Sequence, residues 1–123
     1  MKKKTQKSPK TRRNGIKKEF FPSGQVSAEA RHKNGVKHGA GKMFYESGKV
    51  YAAETYKNGK LNGPTATYYE SGVLQAEMNY KDGRLDGPCK EYYPSGKVES
   101  EVTYKAGKKE GGCTVYAESG AVE

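Results

Sequence analysis

The sequence predicts an all-β protein, an elongated single-layer antiparallel meander of β-hairpins with a 24-residue period. Three observations predict it. The segment YYESGVLQAEMNYKDGRLDGPCKE (68–91) recurs at the same spacing on either side. Apolar and polar residues alternate over eight-residue runs, which is the period of a strand. Turn sequences containing glycine separate these runs, and a period of 20 to 50 residues indicates a repeat architecture.

The 123 residues divide into a tail and an array. Residues 1–14 have neither periodicity nor aromatic residues, and we interpret them as a disordered basic tail. Residues 15–123 form the array, in which each repeat depends on its neighbours for stability. It consists of a half repeat, four full repeats and a partial one: 15–19, 20–43, 44–67, 68–91, 92–115 and 116–123.

The first turn of each repeat has the form Xaa-Ser-Gly, of which Glu70-Ser71-Gly72 is one copy. Three-residue hairpin loops usually form a type I turn followed by a residue at positive φ, where glycine fits without strain. The outgoing strand that follows has one apolar face, shown by Leu74, Ala76, Met78 and Tyr80 in the third repeat. The other face of that strand is polar.

A second turn joins the outgoing strand to a returning strand. Asn58-Gly59 and Asp82-Gly83 predict a type I′ turn, because both central residues of that turn need positive φ. Ala106-Gly107 departs from this pattern, and alanine there should cost on the order of 1 kcal/mol. A further glycine predicts a bulge or bend in each returning strand. These glycines are Gly39, Gly63, Gly87 and Gly111.

The returning strand ends in an aromatic pair such as Tyr68-Tyr69, whose rings should point to opposite faces of the sheet. A single-layer sheet must leave some of its rings exposed, and tyrosine is favoured at interfaces. We therefore predict that a set of tyrosines forms the interaction surface: Tyr45, Tyr56, Tyr69, Tyr80, Tyr93 and Tyr104.

The net charge of +9 is concentrated in the tail. Residues 1–14 contain seven basic and no acidic residues, whereas the array holds 16 basic and 14 acidic residues. We therefore place the basic character in the tail and not on the array. The residues concerned are Lys2, Lys3, Lys4, Lys7, Lys10, Arg12 and Arg13.

The sequence has no apolar stretch of the roughly 20 residues that span a bilayer, and polar residues follow MKKK where a signal peptide would be apolar. We expect a cytoplasmic protein. Cys89 and Cys113 are one repeat apart, hence two strands or roughly 9.5 Å, which is too far for a disulfide. We expect free thiols.

No residue pattern predicts catalysis. The two histidines, His32 and His38, have only Glu29 nearby as a further ligand, so we predict no metal or other cofactor. The repeated serines occupy turns, which suit serine, and no glycine-rich loop opens a helix. We expect a protein that is not an enzyme.

These residues resemble the variant MORN repeat of the YwqK-type family of bacterial proteins. Its pattern is an aromatic pair, a glycine, a Glu, and Tyr-Lys-Asn/Asp-Gly-Lys-x-x-Gly, which residues 44–63 and 68–87 match closely. The resemblance covers about 15–123. It implies an antitoxin component of a toxin–antitoxin system, while other MORN proteins act as scaffolds, some of them at membranes.

Two functions follow as expectations. The first is a non-catalytic protein-binding repeat module, with a toxin as one candidate partner, which binds through its tyrosines or by strand addition at an open sheet edge. Pairing of open edges between two copies would give a homodimer. The second is a scaffold whose basic tail attracts anionic membrane or nucleic acid.

Overall fold

The computed structural model describes residues 13–122, which form one open antiparallel sheet of 11 strands. Each long strand pairs with the next one along the chain, so the predicted single-layer hairpin meander is confirmed. The strands are β1 (Gly15–Phe20), β2 (Val26–Lys33), β3 (Val36–Phe44), β4 (Val50–Lys57), β5 (Lys60–Leu61), β6 (Gly63–Tyr68), β7 (Leu74–Lys81), β8 (Arg84–Leu85), β9 (Gly87–Tyr92), β10 (Val98–Lys105) and β11 (Lys108–Val115).

The first loop of each repeat has the predicted geometry. In the second repeat the N–H of Tyr45 donates to the Lys49 carbonyl at 2.8 Å, and this hydrogen bond encloses a three-residue loop. The N–H of Gly48 donates to the Tyr45 carbonyl at 2.9 Å. Gly48 has a φ of 94°. The Oγ of Ser47 accepts the Lys49 N–H at 3.4 Å, which explains why serine recurs there. The edge of the sheet that carries these loops is the loop edge.

The second turn is type I′, as predicted. Asn58 and Gly59 have φ values of 52° and 84°, and Asp82 and Gly83 repeat them at 51° and 85°. Ala106 adopts the same conformation, with a φ of 50°, although alanine lacks the polar side chain that eases it. The conformation is therefore imposed on Ala106 by the hairpin.

Replacing Ala106 with asparagine is expected to raise the free energy of unfolding by about 0.5–1 kcal/mol, since asparagine enters the left-handed region more readily. Urea denaturation of the two proteins measures the change. Ala106→Gly, which relieves the same strain, should also stabilise. Equal or lower stability in both variants would show that the fourth turn is not strained.

The returning strands bend at the predicted glycines. The returning strand skips two residues in its pairing with β4, between the Lys57–Lys60 pair and the Ala53–Ala66 pair. Gly63 lies in this bend with a φ of 110°, and Gly87 lies in the next one with a φ of 118°. The bend divides the returning strand into β5 and β6 in one repeat, and into β8 and β9 in the next.

The sheet has almost no enclosed core, as the scarcity of large aliphatic residues predicts. Among residues 13–122 the only buried apolar side chains are Ala30 and Ala52, at 9% and 3% exposure. The remaining apolar side chains and rings are half-buried or exposed. Stability must therefore come from many small contacts between neighbouring strands and repeats.

Strand register places a continuous row of side chains on one face, which we call the groove face. The outgoing strands β4, β7 and β10 each carry a tyrosine on the same face, two residues after their member of the row. These tyrosines are Tyr56, Tyr80 and Tyr104. The row follows from the strand pairs and, between β4 and β6 and between β7 and β9, from extending the neighbouring pairs by one residue; it consists of Lys17, Ala30, Gly41, Glu54, Thr65, Met78, Cys89, Val102 and Cys113.

Candidate functional site

The groove face contains two shallow hollows of different chemistry. The hollow nearer the N-terminus has a volume of about 430 Å³. Its small floor residues, Ala28, Ala30 and Gly41, are surrounded by charged and polar side chains. These are Lys17, Glu19, His32, Lys37 and Glu54. We call it the polar hollow.

The second hollow, of about 230 Å³, is mostly apolar, and we call it the apolar hollow. Ala76, Met78, Leu85, Val102 and Tyr104 form most of its lining. It also contains both thiols and, at its margin, charged groups. These are Cys89, Cys113, Lys90, Glu91 and Lys109.

The two cysteines lie on either side of Val102, which pairs with Cys89 on β9 and with Cys113 on β11. They are thus two strands apart, as the repeat spacing predicts, and both are free. Cys89 is half-buried and Cys113 is exposed. The two free thiols are therefore available as chemical probes of the apolar hollow.

Tyr56 is held firmly on the groove face. A Cβ on Gly41 would come within 3.2 Å of its ring, so this glycine makes room for the tyrosine. The Tyr56 hydroxyl donates to Glu54 Oε1 at 2.6 Å, and the Lys37 Nζ lies 4.8 Å from the ring centroid. Burial, and then the hydrogen bond to Glu54 and the charge of Glu54, raise the pKa of Tyr56 far above its usual range.

The six tyrosines of the predicted interaction surface separate into two sets. Tyr56, Tyr80 and Tyr104 are on the groove face, and Tyr80 places its hydroxyl 4.0 Å from the Met78 sulfur. The other set joins repeats at the loop edge, where each hydroxyl donates to a backbone carbonyl one repeat ahead at 2.6 Å. The pairs are Tyr45 to Tyr68, Tyr69 to Tyr92, and Tyr93 to Tyr116. All six rings are half-buried.

A second connection between repeats holds each type I′ turn. The Gly59 N–H donates to the Lys37 carbonyl at 2.8 Å, and the Asn58 N–H donates to His38 Nδ1 at 3.2 Å. We call this pair of bonds the turn clamp. In the other three copies a side-chain oxygen replaces the histidine nitrogen, each at 3.0 Å. The acceptors are Asn14, Asn62 and Asp86.

The turn clamp was not predicted from the sequence, although its acceptor residues recur with the period of the repeat. Asn14, Asn62 and Asp86 recur before the bend glycine at multiples of the repeat length. His38 occupies the same position and serves as a hydrogen-bond acceptor there. Within residues 13–122 no group of three His, Cys, Asp or Glu side chains could hold a metal ion.

The family comparison reproduces this periodicity. The sequence model of the MORN repeat variant family matches four segments of the chain, 13–34, 37–58, 61–82 and 85–106. They cover more than half of the sequence and share the 24-residue spacing. The chain belongs to the MORN repeat variant family. Repeats of this family serve as binding modules.

The boundaries of the MORN copies coincide with the turn clamp. The first copy begins at Arg13 and ends at Asn34, and the side chain of Asn14 accepts the N–H of Asn34 at 3.0 Å. Each copy is thus a hairpin around its Xaa-Ser-Gly loop whose two ends are tied together. The repeat boundaries predicted above start instead at the aromatic pair, and they stay a prediction.

The N-terminal tail enters the MORN array beside the first type I′ turn. The Arg13 carbonyl accepts the Gly35 N–H at 2.9 Å, and Arg13 Nη2 lies 3.4 Å from the Asn34 carbonyl. Arg13 and Asn14, the last residues of the predicted tail, thus contact the array. The other basic residues of that tail lie outside the described residues: Lys2, Lys3, Lys4, Lys7, Lys10 and Arg12.

Two further comparisons add no family. No curated protein matches the chain. Among solved structures, the GtfA/B complex bound to UDP and GlcNAc aligns with this chain at a TM-score of 0.41 and 15% identity. The alignment covers 71% of this chain and 22% of that one, so the chain spans less than a quarter of that protein. None of the described segments is an apolar helix of membrane-spanning length.

On the face opposite the groove, Tyr92 donates its hydroxyl to Glu77 Oε1 at 2.6 Å. This hydrogen bond, followed by burial and the charge of Glu77, raises the pKa of Tyr92 to about 12. A folded-state pKa above the unfolded value of about 10 means a stabilising contribution that is complete below pH 10. It is lost as the pH rises from about 10 towards 12.

Stability of the MORN array is therefore expected to fall between pH 10 and 12, and Tyr92→Phe should reduce the slope of that fall. Denaturation midpoints at half-unit pH steps measure it. Tyr104→Phe is a suitable control, because it removes another tyrosine hydroxyl of the array and leaves the Tyr92–Glu77 bond in place. Parallel curves for Tyr92→Phe and the wild type would contradict the assigned role of the Tyr92–Glu77 bond.

Proposed function

We propose that this MORN array is a non-catalytic module that binds a protein partner on its groove face, centred on the apolar hollow. The observation that supports the proposal most strongly is the clustering of Met78, Val102 and Tyr104 with two thiols in a hollow that the protein leaves open. Methionine and tyrosine are enriched in protein interfaces, and apolar surface that stays open favours association.

The shape of the apolar hollow favours a protein over a small molecule. Its volume of about 230 Å³ is below the roughly 300–1,000 Å³ of typical ligand pockets. It also lies on an extended face beside the polar hollow, with Lys109 and Glu91 at its margin. Apolar contacts surrounded by charged groups are the usual arrangement of a transient protein interface.

Affinity capture from cell extract tests the proposal with a matched pair of variants. Val102 and Thr103 are neighbours on β10 with side chains on opposite faces, and Thr103 is exposed. Val102→Lys should lower the yield of a captured partner about tenfold, since a charge would enter the centre of the interface. Thr103→Lys should retain it. Capture that survives Val102→Lys in a folded protein, or is lost equally in both variants, contradicts binding at the hollow.

The resemblance to YwqK-type proteins supports a more specific role, in which the array acts in the cytoplasm as an antitoxin and the partner is a toxin. The test is expression of the captured partner alone and together with this chain. We expect the partner alone to stop growth and co-expression of the wild-type chain to restore it. Co-expression of Val102→Lys should fail to restore growth. A harmless partner would exclude the antitoxin role while leaving protein binding intact.

Two other modes of attachment stay predictions. A partner strand, or a second copy of the chain, could pair with β1 or β11, the outermost strands of the described sheet. Sedimentation over a range of concentrations tests the homodimer. Attachment to anionic membrane or nucleic acid through the tail is tested by replacing its lysines with glutamine in the full chain. That change should abolish salt-sensitive co-sedimentation with lipid vesicles or RNA if the tail is responsible.

A further inference from the structure

Positive charge is strongly segregated within the array. The four segments around the type I′ turns, 33–36, 57–60, 81–84 and 105–108, contain seven basic residues and one acidic residue. All other positions of residues 15–123 together contain nine basic and 13 acidic residues. The small net charge of the array thus conceals one strongly basic edge, which we call the turn edge. Its cations are Lys33, Lys57, Lys60, Lys81, Arg84, Lys105 and Lys108.

The fold arranges these cations in a regular row. All seven residues are exposed, and equivalent positions in successive repeats are two strands, or roughly 9.5 Å, apart. The turn clamp fixes the backbone of every turn in the row. The turn edge is therefore a line of charges on a defined scaffold.

Like charges face each other along this row. Lys57 pairs directly with Lys60, Lys81 with Arg84, and Lys105 with Lys108. Like charges directly opposite each other on neighbouring strands destabilise a sheet. Three consecutive repeats carry this arrangement, which a bound anionic group would relieve.

Arg13 adds a further cation to the same edge. Arg13 contacts the first type I′ turn through its carbonyl and guanidinium. The preceding segment, 1–12, contains six further basic residues.

We infer that the turn edge binds an acidic segment of a partner polypeptide, laid across the ends of the strands. In the polyproline II conformation a chain has three residues per turn and rises about 3.1 Å per residue, so acidic residues at every third position lie on one side of it and are spaced about as far apart as the repeats. This surface is separate from the groove face and does not rest on the function proposed for it.

Two observations favour a polypeptide over nucleic acid. The exposed rings Phe20 and Tyr51, at 59% and 41% exposure, lie at the loop ends of β1 and β4, so the turn edge offers no comparable ring for base stacking. Only Arg84 among the seven cations is an arginine, the residue best suited to phosphate and nucleic-acid recognition. Lysine suits separated carboxylates as a simple point charge.

Fluorescence polarisation with labelled poly-L-glutamate of about 20 residues tests the inference on the full chain. The variant Lys57→Gln/Lys81→Gln/Lys105→Gln removes three charges from the turn edge. The control Lys18→Gln/Lys49→Gln/Lys97→Gln removes three exposed charges elsewhere. At about 0.1 M salt we expect about tenfold weaker binding for the first variant and less than about twofold for the control.

Equal losses in the two variants, or no loss in either, would overturn the inference, because binding would then follow only total charge or the tail. To separate the tail, the same comparison is made with the tail cations changed to glutamine: Lys2, Lys3, Lys4, Lys7, Lys10 and Arg12. Residual binding should again depend on the turn edge. Thermal melting verifies folding, and the turn-edge variant should be no less stable than the wild type because it removes like-charge pairs.

Two other probes distinguish the class of partner. A 20-nucleotide oligo-dT and phosphatidylserine vesicles are titrated with the same variants. A loss of poly-glutamate binding that exceeds the losses for both other probes supports a polypeptide partner. An equal or larger loss for either the oligonucleotide or the vesicles would overturn that assignment.

Discussion

Replacing Tyr69 with alanine is expected to lower the free energy of unfolding by about 2–4 kcal/mol. The change removes a half-buried ring, and it deletes the 2.6 Å hydrogen bond from the Tyr69 hydroxyl to the Tyr92 carbonyl in the next repeat. Loss of a buried aromatic ring costs about 3–5 kcal/mol, and the partial exposure of Tyr69 reduces that figure. Urea denaturation measures the loss.

Two conservative variants separate the hydroxyl from the ring. Tyr69→Phe keeps the ring and should cost about 1 kcal/mol. Phe21 occupies the equivalent position in the first repeat, where the N–H to Gln25 bond matches that of Tyr45 to Lys49. Phe21→Tyr should therefore gain a comparable amount by bonding to the Phe44 carbonyl. If Tyr69→Ala costs under about 0.5 kcal/mol, the tyrosine connections do not hold the repeats together.

Replacing Gly87 with alanine is expected to cost about 2 kcal/mol. Gly87 has a φ of 118°, where an alanine residue is strained, and a Cβ there would approach the Cβ of Asn79 to 3.3 Å. The Asn79 side chain has little freedom to move, since its Nδ2 donates to the Pro88 carbonyl at 2.8 Å. Chemical denaturation again provides the measurement.

Gly112 is the matched control for Gly87. It lies in the equivalent bend of the last returning strand, but without a positive φ and with open space around the position of a Cβ. Gly112→Ala should be neutral or slightly stabilising, since alanine restricts the unfolded chain. Equal costs at the two positions would show that the bend at Gly87 is not the source of the constraint.

The turn chemistry was predictable from local sequence. Asn58-Gly59, the Glu46-Ser47-Gly48 loop and the bend glycine Gly63 each need a backbone conformation that few residues adopt. The alternation of Ala76, Met78 and Tyr80 adds the face of the strand. Local steric rules of this kind are independent of neighbouring repeats, so they can be applied to one repeat at a time.

Contacts between repeats were less predictable, because they depend on how neighbouring hairpins are staggered. Tyr56 and Tyr69 were assigned to one interaction surface from the sequence, yet one packs over Gly41 on the groove face and the other bonds to the next repeat. Likewise, Asn62 resembles an ordinary loop residue until the register brings its side chain to the Asp82 N–H. The stagger itself arises from the bend glycines and shifts the pairing by two residues.

The uneven distribution of charge within the array was also not predicted, because only the total charge of the tail and of the array was counted. Counting residues assigned the basic character to the tail, because the array is nearly neutral as a whole. Strand pairing places Lys57 opposite Lys60 and collects the cations on one edge. The acidic residues of the array lie mainly away from that edge. Net charge therefore describes solubility better than it describes a surface.

The protein's own cysteines provide the most direct measurement of the central claim, that a partner protein covers the apolar hollow. Cys89 and Cys113 are free and lie within that hollow, so their alkylation rates can be followed by mass spectrometry without any mutation. With the captured partner bound, both rates are expected to fall about tenfold or more. Unchanged rates for both thiols in a stable complex would place the partner elsewhere and contradict the account.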